Sequence, residues 1–177
     1  MRKLLMKNRS FGNTFIAGGC FADIFQGKSF KDLDFWYTSQ EAFNKGFSTS
    51  DFIYQNENCF AKKEGEFLVE HIKVRFGTPR EILESFDFTV CKFAVFIDNR
   101  SRPRVLYHKD FFKDLQRKEI AVETTRELKY ETISRIIKYA NKGFKITGSV
   151  GQLLIDLSSR YPHTIIDSED HYDELRQ

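Results

Sequence analysis

Short segments in which apolar and polar residues alternate fill most of the chain, and segments with helical spacing follow them near the end. Successive side chains of a strand point to opposite faces, so this alternation predicts half-buried β-strands. The predicted strands are Thr14 to Ala17, Leu33 to Tyr37, Phe52 to Gln55, Cys59 to Lys62, Glu66 to Phe76, Val90 to Ile97 and Arg104 to Tyr107. A glycine after two charged residues, Lys63-Glu64-Gly65, predicts a hairpin turn.

A threonine followed three residues later by glutamate predicts a capped helix start. This pattern occurs at Thr38 with Glu41, at Thr78 with Glu81 and at Thr124 with Glu127. A helix with one apolar face is predicted from about Thr125 to Lys142, ending at Gly143, and a shorter helix is predicted to open at Thr147 or Ser149.

Strands mixed with helices, followed by helices alone, predict an α/β (α+β) fold. We expect a mixed-sheet catalytic head over residues 1–120 and a helical, neck-like region with an acidic tail over residues 121–177.

Two aspartates separated by one residue are the strongest chemical signal in the chain. On a strand, Asp32 and Asp34 share one face, while Leu33 and Phe35 share the other. Two neighbouring carboxylates repel each other unless a cation lies between them. Hard oxygen ligands suit Mg²⁺ (or Mn²⁺) whose other ligands are water and substrate phosphates. The earlier pair Gly18-Gly19 lets backbone N–H groups approach a triphosphate where a helix begins.

Three ordered motifs resemble the nucleotidyltransferases of the DNA polymerase beta superfamily, in the branch of bacterial CCA-adding enzymes and poly(A) polymerases. That branch carries a Gly-Gly turn, an Arg-Asp in the next helix, a Leu-Leu-Gly helix end and Lys-Asp-x-Asp-Phe. The matching residues are Gly18-Gly19, Asp23, Phe25-Gln26-Gly27 and Lys31-Asp32-Leu33-Asp34-Phe35. Two later segments complete the resemblance: the eight residues from Asp87 to Ala94, and Arg135 to Ala140 followed by Gly143-Phe144.

The resemblance implies a Mg²⁺-dependent nucleotidyltransferase that moves a nucleoside monophosphate from a nucleoside triphosphate (NTP) to an acceptor hydroxyl. It implies Asp32 and Asp34 as the catalytic metal ligands and a third carboxylate from a neighbouring strand. Glu70 is the first candidate for that third carboxylate and Glu66 the weaker one, although Glu70 is also explained as an exposed strand residue.

The resemblance also implies contacts to the nucleotide. They are assigned to Gly18, Gly19, Lys31, Asp87 (on the sugar), Arg135 and Lys138. The four charged residues each have a structural alternative. Lys31 can pair with Asp23 instead, Asp87 can cap a helix or turn, and the two basic residues of the late helix can form a solvated face.

The chain departs from the family pattern at the arginines. Ala22 stands at the arginine position of the first helix, and Ser85-Phe86 replaces the arginine pair before Asp87. No Glu-Asp-x-x-Arg, by which CCA-adding enzymes choose cytosine and adenine, occurs in the helical part. We therefore do not expect complete CCA synthesis on tRNA.

Composition adds little to this hypothesis. A net charge of +3 over 177 residues allows a nucleic-acid partner without requiring one. Three cysteines without a CxxC spacing indicate free thiols in a reducing compartment. The apolar runs are too short for a bilayer and the start MRKLLMKNRS lacks a secretory signal, so we expect a cytoplasmic protein without membrane contact.

The acceptor stays open at this stage. An RNA or tRNA 3′ end is the first candidate, because of the branch resembled. The alternatives are transfer to a protein or small molecule, as in toxin-like and antibiotic-modifying members, and a catalytically degenerate module that binds nucleotide or RNA. The short chain suggests a minimal version of the enzyme from a phage or mobile element. The preferred NTP and the oligomeric state are not indicated.

Overall fold

The alternating segments form one seven-stranded sheet in the computed structural model, which describes residues 5, 12–46, 53–122 and 131–160. The chain divides into two units, each described by itself. Unit 1 comprises Met1–Phe86 and Val90–Phe111, and unit 2 comprises Asp87–Thr89 and Phe112–Gln177. The predicted boundary near residue 120 stays a prediction. No helix among the described residues is long and apolar enough to cross a membrane.

Unit 1 contains the sheet, whose strand order is β3-β4-β5-β2-β1-β6-β7. The strands are β1 Thr14–Ala17, β2 Asp32–Tyr37, β3 Tyr54–Gln55, β4 Cys59–Glu64, β5 Phe67–Ile72, β6 Phe93–Ile97 and β7 Pro103–Tyr107. All neighbouring strands are antiparallel except β2 and β5, which are parallel. The helices of this unit are α1 Cys20–Phe25, α2 Gln40–Gly46 and α3 Pro79–Ser85. The mixed sheet with its helices confirms the predicted α/β class.

The core of unit 1 lies on both faces of the sheet. On one face, Phe15, Ala17 and Ala94 pack against Ile82 and Leu83 of α3. On the other face, aromatic rings dominate: Phe93 contacts Phe21 of α1, and Tyr37 contacts Phe43 of α2. These contacts cover the central strands β1 and β6, and the aromatic layer also covers β2.

The cap of α3 is the one that the sequence predicts. The Thr78 hydroxyl accepts a hydrogen bond from the Glu81 N–H, and the Glu81 carboxylate accepts one from the Thr78 N–H at 2.7 Å. Pro79 occupies the first turn, where its missing N–H would have no helical partner. The predicted capping box is therefore confirmed.

The predicted cap of α2 is wrong by one residue. Ser39, not Thr38, accepts a hydrogen bond from the Ala42 N–H at 3.1 Å. The Thr38 hydroxyl instead donates to Asn13 on the neighbouring loop. Because its hydroxyl bonds to Asn13, Thr38 does not cap the helix. The third predicted cap, at Thr124, lies outside the described residues.

The predicted ends of several strands also move. The segment from Val90 forms a 3₁₀-helix over Thr89–Cys91, and β6 begins only at Phe93. Strand β5 ends at Ile72, which pairs with Cys59, the first residue of its partner β4. The hairpin turn begins at Gly65, with φ +66°, so Glu64 belongs to β4.

Unit 2 is mainly helical. Its elements are α4 Phe111–Arg117 (Phe111 belonging to unit 1), β8 Glu119–Ile120, α5 Glu131–Asn141, β9 Lys145–Ile146 and α6 Gly148–Arg160, with β8 and β9 parallel. In α5, Tyr139 is buried and contacts the rings of Phe88 and Phe144. Helix α5 ends where predicted: Gly143 has φ +86° and the Phe144 N–H donates to the Tyr139 carbonyl. Its predicted start lies outside the described residues.

Candidate functional site

The two aspartates of β2 lie on the same face of the central strand. Burial alternates along β2: Leu33, Phe35 and Tyr37 are buried, and the residues between them are half-buried. Asp32 and Asp34 therefore point away from the layer that packs on Leu33 and Phe35. The strand is held by neighbours on both sides, so the two carboxylates have a rigid base.

Gly18 is required beside Asp34. Its φ of +128° is a conformation that other residues rarely adopt, and a Cβ placed on it would lie 2.7 Å from the Asp34 Oδ2 atom. The N–H of Gly18 donates to the Phe93 carbonyl at 3.2 Å, so it is engaged within unit 1. Gly18 thus provides room for the Asp34 carboxylate, and Gly19 follows as the N-cap of α1. Their predicted contacts with a triphosphate stay predictions.

The surroundings of the aspartates are strongly acidic. Burial raises the pKa of the Cys20 thiol at the start of α1, and the charges of Asp34, Asp32 and Asp23 raise it further. The side chain of Asp32 forms no ion pair with any residue that the structure describes. Negative charge therefore accumulates on this face of the sheet, where a cation would be stabilised.

Glu70 lies next to Asp34 across the parallel pair of strands. Residue pairing places Glu70 of β5 opposite Asp34 of β2, so the two side chains share a face. Glu70 is buried, and its Oε1 atom accepts a hydrogen bond from the Tyr54 hydroxyl. Burial, followed by the charges of Glu70 and Asp34, raises the pKa of Cys59 to about 12. The alternative of an exposed strand residue is wrong for Glu70, since it is 7% exposed.

The donor set suits a cation of the magnesium type. Within the described residues, no group of three or more His, Cys, Asp and Glu side chains is arranged to hold a metal ion. Mg²⁺ rarely needs such a cage, because one or two carboxylates with substrate phosphates and water complete its shell. Asp32 and Asp34 fit this requirement. A role of Glu70 as the third carboxylate stays a prediction.

The remaining predicted site residues fall into two groups. Lys31 is exposed and directly precedes β2 in unit 1. In unit 2, the Asp87 Oδ2 atom lies 2.7 Å from the Arg135 Nη2 atom and accepts a hydrogen bond from the Thr132 hydroxyl at 3.2 Å. Lys138 is exposed on the same helix, α5. Asp87 therefore anchors α5, and the nucleotide contacts predicted for these residues stay predictions.

Sequence reasoning missed Tyr54, although a signal for it exists. Two successive antiparallel pairings place Tyr54 opposite Ala61, and Ala61 opposite Glu70. Strand lengths and the hairpin turn fix this register, which brings a tyrosine to the side of the buried glutamate. Only the exact turn position was lacking, since the turn begins at Gly65 and not at Lys63.

Solved structures with the same fold include a CCA-adding enzyme, a tRNA nucleotidyltransferase and a tRNA-processing enzyme. The Thermotoga maritima CCA-adding enzyme complexed with tRNA has a TM-score of 0.66 and 19% identity, over 89% of this chain and 42% of that one. A tRNA nucleotidyltransferase with a primer tRNA and an incoming ATP analogue has a TM-score of 0.61 and 21% identity, over 89% and 51%. A tRNA-processing enzyme with CTP has a TM-score of 0.62 and 23% identity, over 87% and 45%. The protein therefore has the nucleotidyltransferase fold.

A family model places the chain more narrowly. The model of the Gabija anti-defense 2 family matches residues 2–118, and the chain belongs to this family. The protein Gabija anti-defense 2 of Bacillus phage SPbetaL7 is 26% identical over 140 residues, which are 75% of this chain and 34% of that protein. The chain thus spans about a third of the length of this curated relative. The phage source of the relative agrees with the expectation of a phage version.

Proposed function

We propose that this protein transfers a nucleoside monophosphate from an NTP to an acceptor hydroxyl at the Asp32 and Asp34 face, and that the transfer counters a bacterial defence. The observation that carries the proposal is the pair of half-buried carboxylates on a rigid central strand, with Gly18 kept free of a side chain beside Asp34. The family name supports the biological role, since the phage relative is named for anti-defense.

The residues present can carry out each part of this transfer. Asp32 and Asp34 would hold Mg²⁺, which when bound neutralises phosphate charge and lowers the pKa of the attacking hydroxyl. The acceptor oxygen forms a bond to the α-phosphorus, the bond from that phosphorus to the bridging oxygen breaks, and pyrophosphate leaves. The acceptor proton passes to Glu70, whose carboxylate shares the face of Asp34. Positioning and charge neutralisation provide most of the rate in such a reaction.

Two acceptor classes compete. The solved neighbours that contain tRNA favour an RNA 3′ end, as the sequence resemblance does. Membership of an anti-defense family favours a protein or small molecule of the defence. Ala22 and Ser85-Phe86 stand where the resembled family has arginines that contact the nucleotide. Binding of a nucleotide without turnover is therefore the third alternative.

The test is incubation with each α-labelled NTP and Mg²⁺, together with lysate of a host that carries the defence. Label in RNA, in protein and in small molecules is then counted separately. Asp34→Asn should abolish transfer because it removes one negative charge from the metal site. Glu84→Gln, which removes an exposed charge from α3, serves as the matched control and should transfer normally.

Each result decides between the alternatives. Label in RNA that is lost when periodate destroys the terminal diol establishes a 3′ end as acceptor. Label that enters oxidised RNA rejects that acceptor, and label that enters only host protein or small molecules establishes the second class. Absence of label in every fraction, with nucleotide still bound, leaves a binding module and contradicts the proposed transfer.

A further inference from the structure

A hydroxyl of this chain already contacts the carboxylate that would accept the proton of an acceptor. The Tyr54 Oη atom donates to Glu70 Oε1, and Glu70 is paired in register with Asp34. Any acceptor in the proposed reaction must place its hydroxyl within reach of the same carboxylate. Tyr54 thus holds, relative to Glu70, the position that an acceptor hydroxyl needs.

The chemistry of the neighbouring groups favours Tyr54 as a nucleophile. A phenol has an ordinary pKa of about 10, far lower than that of a sugar hydroxyl. It therefore gives up its proton to a carboxylate more easily than a sugar hydroxyl does. The other nucleophilic side chain beside Glu70 is Cys59, whose pKa is raised to about 12 by burial and then by acidic neighbours. Its thiol therefore stays protonated.

The place of Tyr54 in the fold also suits modification. Strand β3 has two residues and forms one edge of the sheet, and Tyr54 is half-buried on it. A tyrosine locked in the core could not carry a nucleotide without unfolding, and Tyr37 of β2, which is fully buried, is an example. Tyr54 combines an accessible strand with a hydroxyl that points to the acidic face.

We propose that Tyr54 is itself an acceptor, so that the protein nucleotidylates its own Tyr54 hydroxyl. This inference rests on the proposed function, because it uses the same Asp32 and Asp34 face. The Tyr54 oxygen bonds to the α-phosphorus of the NTP, pyrophosphate leaves with the electrons of the broken bond, and the phenolic proton passes to Glu70. The product is a phosphodiester between the tyrosine and the nucleoside. It removes the hydroxyl from Glu70 and blocks the face to other acceptors.

The experiment uses the purified protein with Mg²⁺ and each NTP in turn, without any other acceptor. Intact mass should rise by one nucleotidyl group, and peptide mapping should place that group on Tyr54. Tyr54→Phe should lower the modified fraction at least tenfold. Tyr107→Phe is the matched control, since Tyr107 lies on β7 at the opposite edge of the sheet. A modified Tyr54→Phe protein, or a group mapped to another residue, would overturn the proposal.

A second variant separates the proton transfer from a structural role of the hydrogen bond. Glu70→Gln keeps an oxygen that accepts the bond from Tyr54, but it cannot take the proton. Loss of a general base typically lowers a rate by about 100-fold or more, and we expect a loss of this size in self-labelling. If Glu70→Gln labels itself at the wild-type rate, Glu70 does not act as the base and the proposed route is wrong.

Nucleotide binding without turnover distinguishes the two proposals. Calorimetry with Mg²⁺ and a non-hydrolysable NTP analogue should give Tyr54→Phe an affinity within twofold of the wild type, whereas Asp34→Asn should not bind. If the analogue binds and label reaches added acceptors while Tyr54 stays unmodified, the self-labelling proposal fails and the proposed function stands. If neither variant nor the wild type binds the analogue, both proposals fail.

Discussion

The two faces of strand β2 differ in burial and in charge. On one face, Leu33, Phe35 and Tyr37 are at most 1% exposed. Full burial of a large apolar side chain stabilises a fold by about 1.5–3 kcal/mol, so this face holds the strand in place. On the other face, Asp32 and Asp34 are two neighbouring negative charges that repel each other. The apolar face supplies the rigidity that the acidic face needs in order to bind a cation.

Asp87 and Asp32 also differ in the partners of their carboxylates. Asp87 of unit 2 is surrounded by partners, an arginine at 2.7 Å and a threonine hydroxyl at 3.2 Å. Asp32 has no ion pair within the described residues. A paired carboxylate is explained by the stability of its own helix, whereas two neighbouring carboxylates on one strand face call for a cation.

The largest expected effect is on the acidic face. Asp32→Asn and Asp34→Asn should each lower nucleotidyl transfer by about 1000-fold or more, since several kcal/mol of charge stabilisation are lost and each 1.4 kcal/mol is about tenfold. The melting temperature should stay constant or rise, because repulsion between the carboxylates is relieved. Initial rates and thermal unfolding of the same preparations measure both. Turnover that survives in both variants would contradict the site.

The apolar face should respond in the opposite way. Phe35→Ala leaves a cavity in the core and should lower the free energy of unfolding by about 3–5 kcal/mol. Phe25→Ala is the matched comparison, because Phe25 is 48% exposed and should lose about half as much or less. Urea denaturation of both variants gives the comparison. Equal losses would show that β2 is not anchored by its buried face.

The faces of β2 could be predicted from the sequence because strand alternation depends only on local geometry. The capping box of α3 was predictable for the same reason, since all its atoms lie within four residues. What could not be predicted depends on distant partners. The hydrogen bond from Thr38 to Asn13 and the contact of Tyr54 with Glu70 both require the tertiary fold. Likewise, the pair Asp87–Arg135 joins residues that are 48 positions apart (135 − 87).

A pH-dependent effect is expected on the apolar face, where His71 is paired in register with Phe35. His71 is fully buried; burial first, and then the charge of Lys62, lower its pKa from 6.5 to about 4, against a smaller opposite effect of Glu64. Its Nδ1 atom lies 2.5 Å from the Tyr37 hydroxyl, whose pKa is raised mainly by burial, so the tyrosine donates and the neutral histidine accepts.

The sign of the pH effect follows from these values. Between pH 6.5 and about 4, the unfolded chain binds a proton at His71 that the folded protein excludes. Stability is therefore complete above pH 6.5 and falls by about 3 kcal/mol as the pH drops to about 4. His71→Asn keeps an acceptor for Tyr37 but does not titrate, so its stability should fall less over the same range. Urea denaturation at each pH tests this, and parallel curves for both proteins would contradict it.

The smallest expected effect is the coupling of Asp87 and Arg135 in unit 2. Arg135 is 48% exposed at its side chain, so solvent screens the pair and the coupling energy should be about 1 kcal/mol or less. A double-mutant cycle with Asp87→Asn and Arg135→Gln measures it, because the introduced amide oxygen would still accept the hydrogen bond from Thr132. The coupling should weaken as salt is raised. A coupling near zero at low salt would show that the pair does not stabilise α5. Both residues would then be explained better by the nucleotide contacts predicted from the sequence, which loss of NTP affinity in either single variant would support.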